Sequence, residues 1–294
     1  MSRESLEGKV ILVTGANSGV GQATALQVAR MGATAILACR NLTKARQAKE
    51  EIQRLSCNDA VWVVQLDLSD LRSVVTCASE VIAATGGVDV LVNNAGATFP
   101  SRVLTPQGFE QTFAVNYLGH YVLTRLLLHH LRREPCARVI SVTSDGHKFA
   151  KGIRWDDLTF ERRYSTTAAY ANAKLAQILF TRELAHRHGE AGVFAHAVHP
   201  GFVGSNFYKS AGSGLPARAL NLIVRVFANS PEQGAATVIH LVSSDASLQT
   251  NGGYWARCKP ANPSPAAGDD AAAKHLWDLS DQLVTDADVA LPPS

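Results

Sequence analysis

Six short apolar runs, rich in β-branched residues and with little alternation between apolar and polar positions, constrain this 294-residue chain more than any other feature. They begin at Lys9, Ala35, Val61, Val88, Arg138 and Val193 and end at Thr14, Ala38, Val64, Val92, Val142 and Val198. A strand that is apolar at successive positions must be covered on both faces, as in a parallel sheet. Helix-like stretches separate the runs, over roughly 19–31, 43–55, 70–85, 107–132 and 168–188. Strand–helix alternation predicts an α/β fold, a single-domain Rossmann-type doubly wound parallel sheet with helices on both faces. Beyond the last run, Ser230-Pro-Glu-Gln233 reads as a helix start, with Ser230 as N-cap and Pro231 in the first turn. Residues 260–270 are expected as a surface loop, and a last helix over about 271–284 is expected to end in a frayed Pro-Pro-Ser tail. With no repeat and no interdomain linker, residues 1–294 read as one domain.

Composition narrows the function. A net charge of +3, with no block of lysine and arginine, argues against a nucleic-acid partner. The five cysteines are odd in number and form no CxxC pair, so reduced thiols in the cytoplasm are expected and zinc is not. The N-terminus is polar and reads as neither signal peptide nor anchor. The longest apolar stretch, 116–131, carries His120, Arg125, His129 and His130, which excludes a membrane span there.

The first run passes directly into Thr14-Gly-Ala-Asn-Ser-Gly-Val-Gly21. Gly15, Gly19 and Gly21 permit a tight turn, close approach to a pyrophosphate and close helix packing, while Asn17, Ser18 and Val20 complete the loop. The helix start beyond is a ready anion site. An acidic residue at the end of the second strand would bind a ribose 2′-hydroxyl, but Ala38-Cys-Arg40 offers none. Arg40, with Lys44 behind it, instead suits a 2′-phosphate, so NADP(H) is expected over NAD(H). Later in the chain, Tyr170-Ala-Asn-Ala-Lys174 places a phenol and an ammonium one helical turn apart. The cation would favour the phenolate, and a tyrosine so tuned exchanges protons with a carbonyl or alcohol near neutral pH.

Together these residues resemble the short-chain dehydrogenase/reductase family over nearly the whole chain. The motifs run in order: the glycine loop, Asp67-Leu68, Asn93-Asn-Ala-Gly96, Asn116, Ser144, Tyr170-x-x-x-Lys174 and Pro200-Gly-Phe-Val-Gly-Ser205. Within the family the retinol dehydrogenase-like group is most similar, on Ala38-Cys-Arg40, Asn116-Tyr-Leu-Gly-His-Tyr121, His199-Pro-Gly201 and Leu276-Trp-Asp-Leu-Ser280. The resemblance implies that Tyr170 is the general acid or base, that Lys174 binds the nicotinamide ribose, and that Ser144 donates to the substrate oxygen. Ser141 and Thr143 are its rivals. It implies that Asn116 holds a water linking Lys174 to solvent, the competing reading being an amide that bends its helix. Asp67 and Leu68 would meet the adenine. Asn94, Ala95 and Gly96 would line the central cleft, with Asn93 chiefly stabilising the sheet. Pro200, Gly201, Val203 and Ser205 would cover the nicotinamide, and the family delivers the pro-S hydride.

An apolar segment over about 206–230 sits where the family keeps its substrate lid, so a small apolar carbonyl or alcohol is the expected substrate. His147 and Phe149 would lie at the surface or pocket mouth, and His199 would pack beside the cofactor loop. The segment 150–166 would either cap the pocket or obstruct the helix pairing of family dimers, leaving monomer or homodimer open. The expected activity is NADP(H)-dependent reduction of an apolar aldehyde or ketone. A specialised ketoreductase of polyketides, terpenoids or steroids, and a non-catalytic NADP(H)-sensing protein, are the alternatives.

Overall fold

A computed structural model describes residues 5–132, 136–201 and 230–293. The strands are β1 (Val10–Thr14), β2 (Thr34–Cys39), β3 (Val61–Gln65), β4 (Val90–Asn93), β5 (Ala137–Val142), β6 (Val193–His199), β7 (Tyr254–Ala256) and β8 (Lys259–Pro260). They form one sheet in the order β3-β2-β1-β4-β5-β6-β7-β8. All neighbours are parallel except β7 and β8. The order reverses between β1 and β4, and this switch point opens a crevice beyond the carboxyl ends of the strands.

The helices are α1 (Gly19–Arg30), α2 (Leu42–Ser56), α3 (Leu71–Thr85), α4 (111–127), α5 (Thr166–His188), α6 (Pro231–Ser243) and α7 (Asp270–Asp286). α1, α2 and α6 cover one face of the sheet, and α3, α4, α5 and α7 cover the other. Alternate residues of a strand therefore enter different cores: Val10 and Leu12 face the α3/α4/α5 side, Ile11 and Val13 the α1/α2/α6 side. That is why the first run is apolar at every position. Ser230 caps α6 as expected, in a capping box with Gln233. No described helix is long and apolar enough to cross a membrane.

Three expectations change, and two short strands are added. The fourth helix begins at Gln111, capped by the carboxylate of Glu110, and contains a π-helical turn over Ala114–Leu118. In that turn Asn116 Nδ2 donates to the Thr112 carbonyl at 2.8 Å, replacing the bond that the Asn116 backbone N–H would make in an α-helix. The strands β7 and β8 were not legible, since three and two residues fall below any periodicity signal. The stretch 260–270 is more than a surface loop: it holds a 3₁₀ turn, Pro265–Gly268, with Ala267 buried. The tail is pinned, because Pro292 O accepts from Arg125 Nη2 at 2.8 Å and Val289 is buried.

Of the segment 150–166 only its last residue, Thr166, lines the cavity; the rest braces the rim. Arg154 N donates to Asn172 Oδ1, Tyr164 Oη to Phe99 O and Arg102 Nε to Thr159 O, while Trp155 packs edge-on against His275 of α7. α7 itself lies against α5 and inserts Trp277, which is 1% exposed, between Phe180 and Tyr121. The Arg125 guanidinium stacks over Trp277 and pairs with Asp281. Trp277→Ala is expected to lower unfolding stability by about 3–5 kcal/mol. Urea denaturation measures it, and a loss below about 1 kcal/mol would contradict this packing.

Candidate active site

The carboxyl ends of β1 to β6 surround one cavity of about 1230 Å³. It is bounded by the glycine loop after β1, Arg40 after β2, Leu66 to Leu68 after β3, Asn94 to Pro100 after β4, Thr143 to Gly146 after β5 and His199 to Gly201 after β6. Gly15 and Gly19 have φ of +66° and +56°, where an L side chain is strained. Gly21 is required by space: a Cβ there would stand 2.4 Å from Asn94 Nδ2 and 2.6 Å from Gly15 O. The first turn of α1 forms the floor, with Asn17, Ser18, Gly19, Val20 and Gly21 on the wall. Its backbone N–H groups and the positive end of its dipole suit a phosphate.

Two further residues hold this loop. Thr14 Oγ1 accepts from Asn94 N and Ala95 N at 2.9 Å and lies 2.9 Å from His120 Nε2. Burial pushes His120 down to about 3, so its ring is neutral. With Nδ1–H directed at Asn116 O, Nε2 is left to accept the Thr14 hydroxyl. Both residues stand inside sequence motifs, Thr14 at the head of the glycine loop and His120 in Asn116-Tyr-Leu-Gly-His-Tyr121, but neither was expected as a site residue. Asn94 Nδ2 donates to Thr14 O, and Asn93 Nδ2 donates to Thr124 Oγ1, so both amides tie β4 to its neighbours.

Arg40 reaches the cavity wall; Lys44 is exposed on the first turn of α2 and does not line it. Asp67 and Leu68 line the wall, with Asp67 Oδ1 accepting from Ser69 N and Oγ. Pro200 and Gly201 also line it. Val203, Ser205 and the expected lid over 206–229 lie outside the described residues.

Tyr170, Lys174, Ser144 and Asn116 converge. Lys174 Nζ sits 5.6 Å from the centroid of the Tyr170 ring, one turn along α5. A Cβ at Gly146 would stand 3.0 Å from Tyr170 Cε1 and 3.4 Å from Ser144 Oγ, so the ring and hydroxyl flank that glycine. A Cβ at Gly96 would stand 2.8 Å from Asn116 Oδ1 and 3.4 Å from Lys174 Nζ. Asn116 exchanges two bonds with Ala97, at 2.8 and 3.2 Å. Its side chain thus does structural work in the π-turn, holding the loop that backs the lysine. Of the rivals, Ser141 is buried in the sheet and Thr143 donates to Lys174 O, while Ser144 alone of the three hydroxyls caps the turn after β5.

Lys174 is 3% exposed, and burial lowers its ammonium to about 7. It donates to Val142 O at 3.0 Å and to Gln177 Oε1 at 2.8 Å. Gln177, buried one turn beyond, was missed as a site residue; only its spacing of three from Lys174 marked it. His147 is fully buried rather than at the pocket mouth, whereas Phe149 is 77% exposed and lines the cavity. His199 also lines the cavity: its Nδ1 accepts from Asp145 N and its Nε2 lies 3.3 Å from Asp145 Oδ2. Burial opposes the Asp145 charge, but Lys148 and His199 still hold its carboxyl below the usual range.

A family model described as short chain dehydrogenase matches residues 9–215. Retinol dehydrogenase 14 of Mus musculus is 38% identical over 290 residues, covering 95% of this chain and 86% of the relative. Retinol dehydrogenase 12 of Mus musculus is 39% identical over 282 residues, covering 95% and 87%. Among solved structures, an uncharacterized protein from Mycobacterium paratuberculosis superposes with a TM-score of 0.79 at 33% identity, covering 99% of this chain and 98% of that one. The RhlG/NADP complex of Pseudomonas aeruginosa, at 22% identity and TM-score 0.69 over 90% of this chain and 98% of that one, shares the fold.

Gly146→Ala tests the convergence of Ser144 and Tyr170. The added methyl must displace the ring by a few tenths of an ångström. Carbonyl turnover is expected to fall about tenfold or more while the thermal midpoint stays within a few degrees. Unchanged turnover would contradict the geometry.

Proposed function

Because the chain belongs to the short-chain dehydrogenase family, an oxidoreductase acting on alcohol and carbonyl groups, we propose that it uses NADP(H) to interconvert an apolar aldehyde or ketone and its alcohol, with Tyr170 as proton carrier. The observation that carries this reading is the meeting of Ser144 and Tyr170 on Gly146, with the Lys174 ammonium beside the ring. The residues present fit the dinucleotide. The glycine cradle closed to any Cβ at Gly21 and the α1 N-terminus suit its pyrophosphate, and Arg40 on the wall suits a 2′-phosphate. Bound there, the cofactor supplies or accepts the hydride.

The chain supplies the rest. Ser144 Oγ already accepts from Gly146 N at 3.1 Å, which leaves its own proton to donate to a substrate oxygen. Tyr170 gives its phenolic proton to that oxygen as the alcohol forms and takes it back in oxidation. The charged Lys174 stabilises the phenolate that results. Phe99, Pro100, Val115 and Phe149 line the cavity and suit an apolar substrate. The five free thiols fit a reducing compartment such as the cytosol, where NADPH drives carbonyl to alcohol. A cofactor-sensing protein would have no need of the full Ser144, Tyr170 and Lys174 set.

Tyr170→Phe is expected to cut NADPH consumption on a panel of carbonyls by about 10²–10⁴-fold while cofactor binding persists. Survival of turnover would contradict the mechanism. For the cofactor, the ratio of Kd for NADH to NADPH should exceed one in the wild type and shrink about tenfold or more in Arg40→Ala, as expected for a lost charge-assisted contact. A wild type that prefers NADH would refute the assignment of Arg40.

A further inference from the structure

His147 lies three residues past Ser144 and is fully buried, yet it touches no part of the cavity. Its ring nitrogens are both engaged. Nδ1 lies 2.6 Å from Ser144 O, and Nε2 lies 3.0 Å from Ser264 N. A backbone N–H only donates, so Nε2 must carry its lone pair and Nδ1 must carry the proton. The imidazole is therefore neutral, donating to Ser144 O and accepting from Ser264 N. Burial agrees with this, holding its proton affinity below the ordinary histidine range.

Ser264 follows β8, beyond the residues that the family model matches. A second contact runs from the same part of the chain. Tyr254 of β7 packs its ring 5.4 Å from the His147 ring and donates its hydroxyl to Asp145 Oδ1 at 3.2 Å. The turn bearing Ser144, Asp145 and Gly146 is thus gripped from behind at two points, while the Tyr170 ring rests on its Gly146 side. Ser144 O also accepts from His147 N at 3.1 Å, so the orientation of the Ser144 peptide is fixed by His147 twice over.

We propose that His147 is a positioning residue: its neutral imidazole links the Ser144 carbonyl to the backbone N–H of Ser264, and the C-terminal hairpin thereby sets where the serine hydroxyl points. This rests on the reading of Ser144 as the hydroxyl that binds the substrate oxygen. His147 does not touch substrate; it acts through Ser144. Protonation at Nε2 would set two donors against each other at Ser264 and release the link. Asp145 and Lys148 on its own turn, with Tyr254 and His199 from β7 and β6, are the titratable groups facing it.

The test is a double-mutant cycle between His147→Phe and Ser144→Ala, read as kcat/KM for carbonyl reduction alongside Kd for NADPH. His147→Phe keeps a ring against Tyr254 and removes both polar contacts. It is expected to lower kcat/KM about tenfold in the wild type, to leave the cofactor Kd within about twofold, and to have no further effect once Ser144 is alanine. His147→Asn, which retains a donor near the Nδ1 position, is expected to recover part of the loss and serves as the folded comparison if the phenylalanine variant is unstable. Equal losses in both backgrounds, or a fall in cofactor affinity to match, would mean a merely structural residue and overturn the inference. Full activity in His147→Phe would overturn it too. If Ser144→Ala alone keeps full activity, the assignment of Ser144 fails first and takes this inference with it.

Discussion

An ammonium group buried almost completely beneath a parallel sheet's carboxyl edge is the constraint on which the site is built. An unpaired buried charge is costly, and the cost falls only when its hydrogen bonds are supplied. Here the main-chain carbonyl of Val142 and the amide oxygen of Gln177 supply two. Among the described residues no carboxylate pairs with Lys174, and burial is the cause that pulls its proton affinity down to about 7. A cation held this loosely is available to respond to charge that forms nearby, on the Tyr170 phenol. The surrounding choices follow from its placement. Gly96 is without a side chain because the ammonium and Asn116 occupy that space. Thr143 fixes the backbone of the helix turn that carries Lys174, and neutral His120 adds no competing charge.

The distal part of the chain has a share in this that its sequence does not advertise. Tyr117 and Tyr121, on the helix that carries Asn116, bond to Ser280 and Asp281 of α7. Tyr254 and Ser264 grip the Ser144 turn. The C-terminal hairpin and helix therefore pack against both sides of the cluster of Ser144, Tyr170 and Lys174: α7 behind α4 and α5, and the hairpin behind the turn after β5. Stability of these elements and geometry of the site are coupled through a few buried and part-buried polar contacts.

Much of the fold could be read in advance because it is locally coded. Six strands were visible since both sheet faces are covered and their apolar runs are continuous. α1, α2, α3 and α5 fell within a residue or two of their expected ends. The glycine loop, Ser144, Tyr170 and Lys174 could be read because each sits at a strand end or helix turn where a motif fixes it. What escaped was non-local. The Asn116 amide that fills the π-turn also bonds Ala97, nineteen positions away. The pinned tail depends on Arg125, and the burial of His147 on a backbone N–H far along the chain at Ser264. A polar stretch such as Asp145-Gly-His-Lys148 looks exposed until its partners are known. Gln177 was hidden for a similar reason: its residue type suggests a surface, and only packing puts it against the ammonium.

The central claim is that Lys174 works as a cation whose charge, opposed by burial, is held by the Val142 carbonyl and by Gln177. The most direct measurement is the pH dependence of kcat/KM for NADPH-driven carbonyl reduction, which reports on groups of the free enzyme. Lys174 is charged below about 7 and loses its proton as the pH rises through that value. The account predicts that kcat/KM declines with rising pH across this range, and that Gln177→Leu, by removing an acceptor of the charged form, moves the decline to lower pH. A profile that stays level from about pH 6 to 9, or one that Gln177→Leu leaves in place, would contradict it.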